Sequence, residues 1–219
     1  MKKLIDLETW ERRDNFRFFQ TFVNPCISMT AEVDCTEGFN LAKEKKISFF
    51  LLTLYATLRA ANEVKEFRYR IENGDVYEYD KVDGVSPIQV TDEGRFCSMR
   101  FPFISDLKSF LAKGSEIVSA ATPDTDPYAL SREMESTGDN GVILLSVTPK
   151  LYFTSLTHTQ ETPIGSPYPL MNAGKVITRE GRKYMPFAFV IHHGLMDGFH
   201  MGKFIEKIEF YINSVDSLK

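Results

Sequence analysis

Apolar positions recur along the chain with a period of two in short runs and with helical spacing in longer ones. ISMTAEVD (27–34) alternates as a strand does. CTEGFNLAKEKK (35–46) reads as a helix with Thr36 as its cap, and SFFLLTLYATLRAANEV (48–64) as a long, mostly buried helix. FRYRIENGDVYEYD (67–80) predicts two strands about Asn73-Gly74, a pair suited to a tight hairpin turn. SPIQVTD (86–92) and RFCSMRFPF (95–103) predict two more strands, and SDLKSFLAKGSEIVSAA (105–121) a helix capped by Ser105. The polar segment TPDTDPYALSREMESTGDNG (122–141) predicts a long surface excursion. Strands return in VILLSVT (142–148), LYFTSLTHT (151–159) and KVITREGRKYMPFAFVIHH (175–193), the last with a hairpin at Glu180-Gly181. DGFHMGKFIEKIEFYINSV (197–215) closes the chain with Met201, Ile205, Ile208, Ile212 and Val215 at helical spacing. Strands interleaved with a few helices, without a repeat or a low-complexity tract, predict one α+β domain over 1–219 with a mixed sheet.

Composition narrows the functional classes. The 219 residues can bury a substantial core, and 43% hydrophobic with 26% charged residues is ordinary for a globular protein. Eighteen phenylalanines supply bulky rings for the core and for aromatic-lined spaces. A net charge of −4 offers no basic field for nucleic acid, and no run reaches the roughly 18–20 apolar residues that span a bilayer. MKKLIDLETWERRD lacks the apolar stretch of a secretory signal, and Cys26, Cys35 and Cys97 have no C-x-x-C spacing. The expectation is a cytoplasmic protein without disulfides, metal, nucleic acid or membrane as partners.

The stretch VIHHGLMDGFH (190–200) carries the candidate chemistry. Strand alternation sets His193 on the side of Phe187, Phe189 and Ile191 and His192 on the other, so the pair does not chelate one metal readily. A metal site would need a third ligand, for which only His158 and His200 remain among the histidines. Asp197 falls at the start of the last helix, where unpaired N–H groups and the helix dipole favour a carboxylate. Two readings stay open on these residues alone: strand-end histidines followed by a helix cap, or a histidine base beside a pocket.

H-H-x-x-x-D-G-F-H followed by a short amphipathic terminal helix resembles the signature of the chloramphenicol acetyltransferase family. Further blocks resemble the family in the same order: W-E-R-R-D near the start, FRYRIENGDVYEYDKVD, LLSVTPKLYFTSL and YPLMNAGKV. The resemblance covers essentially the whole chain. It implies the fold of CoA-dependent acyltransferases and acetyl transfer from acetyl-CoA, as co-substrate, to a hydroxyl of chloramphenicol or a similar small molecule. It implies a homotrimer with its pockets between subunits. It also implies His193 as general base, Ser146 as donor to the oxyanion, and Asp197 paired with Arg12, or with Arg13, as support of the site. Lys46 and Lys175 match lysines near the coenzyme A phosphates, and Phe18, Cys26 and Phe96 match apolar pocket positions.

The acceptor side departs from the family pattern. Asn172 stands where the family has threonine, Phe19 where it has tyrosine, His158 where it has leucine, and Gly194 where it has alanine or serine. Changes of hydrogen-bonding groups in a pocket redirect specificity strongly. They bring in a different alcohol or amine as an alternative acceptor. A trimer that binds a small molecule without turnover is the further alternative.

Overall fold

Seven of the eleven residues of the longest strand are buried in one unbroken run, and that strand organises the molecule. The computed structural model describes residues 1–159 and 168–215. In chain order it contains β1 (Lys2–Leu4), α1 (Arg13–Phe19), β2 (Cys26–Asp34), α2 (Thr36–Glu44), α3 (Phe49–Glu63) and a 3-10 turn (Lys65–Arg68). These are followed by β3 (Tyr69–Glu72), β4 (Asp75–Tyr79), β5 (Asp83–Gln89), β6 (Phe96–Phe101), α4 (Leu107–Ala120) and α5 (Ala129–Thr137). The last elements are β7 (Val142–Val147), β8 (Leu170–Ala173), β9 (Ile177–Arg179), β10 (Arg182–His192) and α6 (Gly198–Asn213).

The main sheet runs β2-β10-β8-β7-β5-β6, with β9 paired to β10; a small sheet runs β1-β4-β3. Pairing is parallel for β5 with β7 and β7 with β8, and antiparallel for the other pairs, which makes the sheet mixed. Met185 to Ile191 of β10 are buried without interruption because both flanks and both faces are covered, so the run is apolar rather than alternating. Phe187, Phe189 and Ile191 enter the main core with Leu145, Met171, Phe67 and Phe204, and Phe67 stacks on Phe204 at 3.9 Å. On the other face α5 packs over one end of the sheet through Met134, Val142 and Val85.

Both tight hairpins form where the sequence predicts them. Asn73 and Gly74 have φ of 53° and 89°, and Glu180 and Gly181 have 51° and 79°. Four expectations are corrected. Thr36 does not cap α2: Cys35 holds the cap position, and the Thr36 hydroxyl donates to Asp34 Oδ1 at 2.7 Å. Asp106, not Ser105, caps α4 by accepting from Ser109 N at 2.9 Å, because a carboxylate one residue later meets the free N–H groups. The excursion at 122–141 holds the amphipathic helix α5. Residues 151–159 form no strand, and β7 lies between β5 and the short strand β8, which no alternation in the sequence predicts.

Candidate active site

The apolar run of β10 ends at His192, which pairs with Cys26 at the start of β2. His193 therefore lies one residue past the ladder, and its orientation is set by the turn rather than by strand alternation. Its N–H donates to Pro25 O at 2.8 Å, and Leu195 N donates back to His192 O at 3.0 Å. The ring is held on two sides. Phe19 stacks on it at 4.1 Å with planes 18° apart, and Nδ1 lies 3.1 Å from Met196 O. A carbonyl oxygen can only accept, so Nδ1 carries the hydrogen of the neutral ring and Nε2 keeps the lone pair. That is the tautomer a base needs.

Asp197 fastens this turn to the helix that follows. As the cap of α6 it accepts from Phe199 N at 3.1 Å. Its other oxygen accepts from Arg12 Nη1 at 2.9 Å, while Arg12 Nη2 reaches His193 O at 3.5 Å. Arg13 turns instead to Asp14 and Glu8 O. Burial pushes the Asp197 carboxyl up, but the hydrogen bond from Arg12, the nearby His200 and the Phe199 N–H outweigh it and hold the group below the usual carboxylate range. Arg12 is only 8% exposed, so this pair is screened far less than a surface one. His200 extends the support: Nδ1 lies 2.9 Å from Asp197 Oδ1, and Nε2 lies 3.5 Å from Glu66 Oε1. The spacing Asp197-x-x-His200 resembles a capping box and could have signalled His200. Glu66 comes from the distant 3-10 turn, and no local pattern marks it.

His192 plays a different part. Its Nδ1 accepts from Gly194 N at 3.1 Å, and a Cβ on Gly194 would stand 2.9 Å from the ring's Cε1 and 3.2 Å from Phe16 Cα. Glycine at this corner is what lets the ring lie against the turn. Burial, reinforced by the neighbouring His193, lowers the His192 pKa from 6.5 to about 4. The folded state thus binds this proton more weakly than the unfolded chain does. The neutral ring costs nothing above pH 6.5, and stability falls as pH drops from 6.5 toward 4. One proton sets a slope of at most about 1.4 kcal/mol per pH unit. Burial lowers the His158 pKa as well, so that histidine acts in the same direction. Asp34, Glu63 and Asp197, all held low, act only as pH falls through the carboxylate range. Denaturation midpoints at about pH 7 and pH 5 should show the loss, and His192→Asn, which keeps an acceptor for Gly194 N, should show a shallower one. Equal slopes in both proteins would refute the assignment.

The remaining candidates lie elsewhere in the chain. Ser146 on β7 and Asn172 on β8 are register partners in a parallel pair, so their side chains share a face of the sheet, opposite Leu145 and Met171. The Thr148 hydroxyl donates to Asn172 Oδ1 at 2.9 Å on that face. On the opposite, helix-covered face a cavity of about 600 Å³ is lined by Phe39, Lys43, Phe49, Val147, Ala173 and Lys175, among others. Lys175 thus borders the cavity, whereas Lys46 is exposed at a left-handed position (φ 55°) just past α2 and is absent from its wall. Lys43, one helical turn earlier, lines it instead. Cys26 borders a second, small cavity beside His192, together with Tyr69 and Tyr168. Phe18 (59% exposed) packs edge-on against Phe19 and Phe22, and Phe96 (43% exposed) opens β6. Both ring nitrogens of His158 are buried without a hydrogen-bond partner among the described residues. The fold gathers Arg12, Phe19, His193 and Asp197 into one cluster and Ser146 with Asn172 into another. Among the described residues no three His, Cys, Asp or Glu side chains assemble as metal ligands, and no helix is long and apolar enough to cross a membrane.

Comparison with known proteins gives a consistent result. The family model described as chloramphenicol acetyltransferase matches residues 2–209. A chloramphenicol acetyltransferase of Clostridium perfringens is 28% identical over 213 residues, covering 96% of this chain and 98% of the relative. One of Proteus mirabilis is 26% identical over 208 residues, covering 95% and 93%. A solved chloramphenicol acetyltransferase structure superposes with a TM-score of 0.94 at 51% identity, covering 97% of this chain and 100% of that one. The catalytic core of a 2-oxoacid dehydrogenase complex from Thermoplasma acidophilum shares the fold at 17% identity, with a TM-score of 0.63.

Proposed function

Because the chain belongs to the chloramphenicol acetyltransferase family, we propose that it moves the acetyl group of acetyl-CoA onto a hydroxyl of chloramphenicol, with His193 as the base. The observation that carries the reading is the Nδ1 contact of His193 with Met196 O, which leaves Nε2 free to take a proton. The substrate hydroxyl gives its proton to Nε2 as its oxygen bonds to the thioester carbon. The carbonyl π pair moves onto oxygen, and the Ser146 hydroxyl donates to that oxyanion. Collapse re-forms the carbonyl and breaks the carbon–sulfur bond, and the protonated His193 returns its proton to the leaving thiolate. Arg12 and Asp197 touch no reacting atom; they hold the turn that presents the base.

The 600 Å³ cavity supports binding of coenzyme A, with Lys43 and Lys175 as cations for its phosphates. Its wall includes Val147 and Ala173, each one residue from Ser146 and Asn172 on the other face. The chain acts as one domain over 1–219. His193 and the pair of Ser146 and Asn172 stand in separate clusters, and Phe18, Phe22 and Val23 are exposed beside the corner. These features support a homotrimer in which one subunit presents its histidine to the acceptor pocket of the next. Dependence on acetyl-CoA and the absence of C-x-x-C spacing support a cytoplasmic enzyme. Relatives named for chloramphenicol across nearly the whole chain favour that acceptor over another alcohol or amine.

Purified protein supplied with acetyl-CoA should release free thiol at a rate that saturates with chloramphenicol. A rate unaffected by chloramphenicol over the full concentration range would contradict the reading.

A further inference from the structure

The outward face of α6 carries a pattern that the fold of its own chain does not use. Met201, Phe204, Ile208 and Ile212 turn inward and are buried, as a core-facing helix requires. On the opposite side Phe199, Lys203, Glu206 and Phe210 fall within about 60° of one line along the helix. Phe199 is 66% exposed and Phe210 62% exposed. The polar side chains flanking this line are engaged within the chain. Lys207 pairs with Glu63 at 2.7 Å, Glu209 accepts from Asp34 N at 2.8 Å, and Asn213 Oδ1 accepts from Glu37 N at 3.0 Å. Lys203 and Glu206 have no ion-pair partner among the described residues, and the Lys203 ammonium lies over the Phe199 ring, 4.1 Å from its centre.

The order of the four side chains is self-complementary. Read from either end, an aromatic ring begins the row, two opposite charges follow, and a second ring closes it. An antiparallel copy of α6, turned about a point between Phe204 and Ile205, sets Phe199 against Phe210 and Lys203 against Glu206. Each contact is then made twice, as a two-fold axis demands. A rise of 1.5 Å per residue puts the two rings about 16 Å apart and the two charges about 4.5 Å apart along the axis, so rings and charges come level together. At Gly202, on the edge of this face, even an added Cβ would meet open space, so nothing there holds the second helix off.

We propose that this face of α6 docks against the same face of a second copy of the chain, forming an antiparallel two-fold helix pair. The inference does not depend on the acetyl-transfer reading. One cation balanced by one anion gives no field for nucleic acid or an anionic membrane, and an unrelated partner would not require the two-fold symmetry of the row. Exposed rings flanking opposite charges give the pair both apolar burial and a fixed register. A single helix face is smaller than the roughly 800 Å² per partner of a standard interface, so association depends on concentration.

The test is sedimentation equilibrium of the purified protein from micromolar to sub-millimolar chain concentration, with melting temperatures to confirm that each variant is folded. The wild type should rise reversibly to twice the mass of its dilute particle. Lys203→Glu sets like charges opposite each other and should weaken association at least about tenfold. Combining Lys203→Glu with Glu206→Lys restores opposite signs across the pair and should bring association back to within about threefold of wild type. Phe210→Asp should hold the mass at that of the dilute particle throughout. A wild-type mass that stays constant over the whole range would overturn the proposal. So would association that survives Phe210→Asp, which would place the contact elsewhere, or a charge swap that fails to restore what Lys203→Glu removes.

Discussion

Replacing Arg70 by methionine is expected to lower the stability of the fold by about 3–5 kcal/mol, because several buried carbonyls lose a donor at about 1–3 kcal/mol each. Arg70 is fully buried, and no carboxylate among the described residues bonds to it. Its guanidinium instead donates to four carbonyls: Nε to Asn140 O at 2.6 Å, Nη1 to Phe67 O at 2.9 Å and Tyr69 O at 2.6 Å, and Nη2 to Val142 O at 2.6 Å. Those carbonyls belong to the end of the 3-10 turn, the start of β3 and the entry to β7, so one side chain joins the small sheet to the main one. Burial lowers its pKa to about 10, with Tyr79, Glu72 and Asp139 opposing the shift, and it remains a cation at neutral pH. Methionine fills much of the volume but takes the guanidinium donors from four carbonyls, of which Asn140 O keeps the Val142 N–H at 2.8 Å, at about 1–3 kcal/mol for each left unsatisfied. Part of that loss is offset because a desolvated cation is no longer held in the interior. Thermal denaturation should drop by roughly 10 °C. Arg70→Lys, with one nitrogen in place of three, should recover only part of it. An unchanged denaturation midpoint in Arg70→Met would show that the clamp contributes nothing net.

His193→Ala is expected to lower kcat for thiol release by about 10⁴-fold, the upper end of what a positioned general base contributes. The upper end is chosen because the ring is fixed on both sides. Phe19 stacks on one face, and Met196 O selects the tautomer that leaves Nε2 bare. Binding of acetyl-CoA should persist, since the cavity with Lys43 and Lys175 contains no part of the turn. His193→Gln retains a hydrogen-bonding side chain but no comparable base, and it should be nearly as slow. Thiol release by either variant within tenfold of wild type would remove His193 from the role of base.

The parts of the fold that the sequence makes legible are those whose local pattern has one physical solution. Asn73-Gly74 and Glu180-Gly181 each pair a turn that needs positive φ with flanking β runs, and PFAFVIH admits only a strand buried on both faces. The elements that escape a local reading lack such a pattern. In α1 the rings Phe16, Phe18 and Phe19 point all ways, with Phe16 buried and Phe18 exposed, so no helical stripe appears. β8 is four residues, all buried, without alternation. α5 hides in a polar segment because it buries only Met134.

The site is legible for the same reason in part. The Asp-Gly pair after the histidines signals a cap, and Asp197 is one. Its partner lies 185 residues away, and only the family resemblance singled out Arg12. Alternation carried to His193 went one residue too far, since the ladder stops at His192. Thr148, Lys43 and Glu66 were silent in the sequence because each gains meaning only from a neighbour brought in by tertiary packing.

The most direct test is the identity of the product. Wild-type protein incubated with acetyl-CoA and chloramphenicol should yield one acetyl ester of chloramphenicol for each thiol released, identified by mass spectrometry and by the NMR shift of the proton on the esterified carbon. Thiol release without an ester, or recovery of both substrates unchanged, would contradict acetyl transfer to this acceptor.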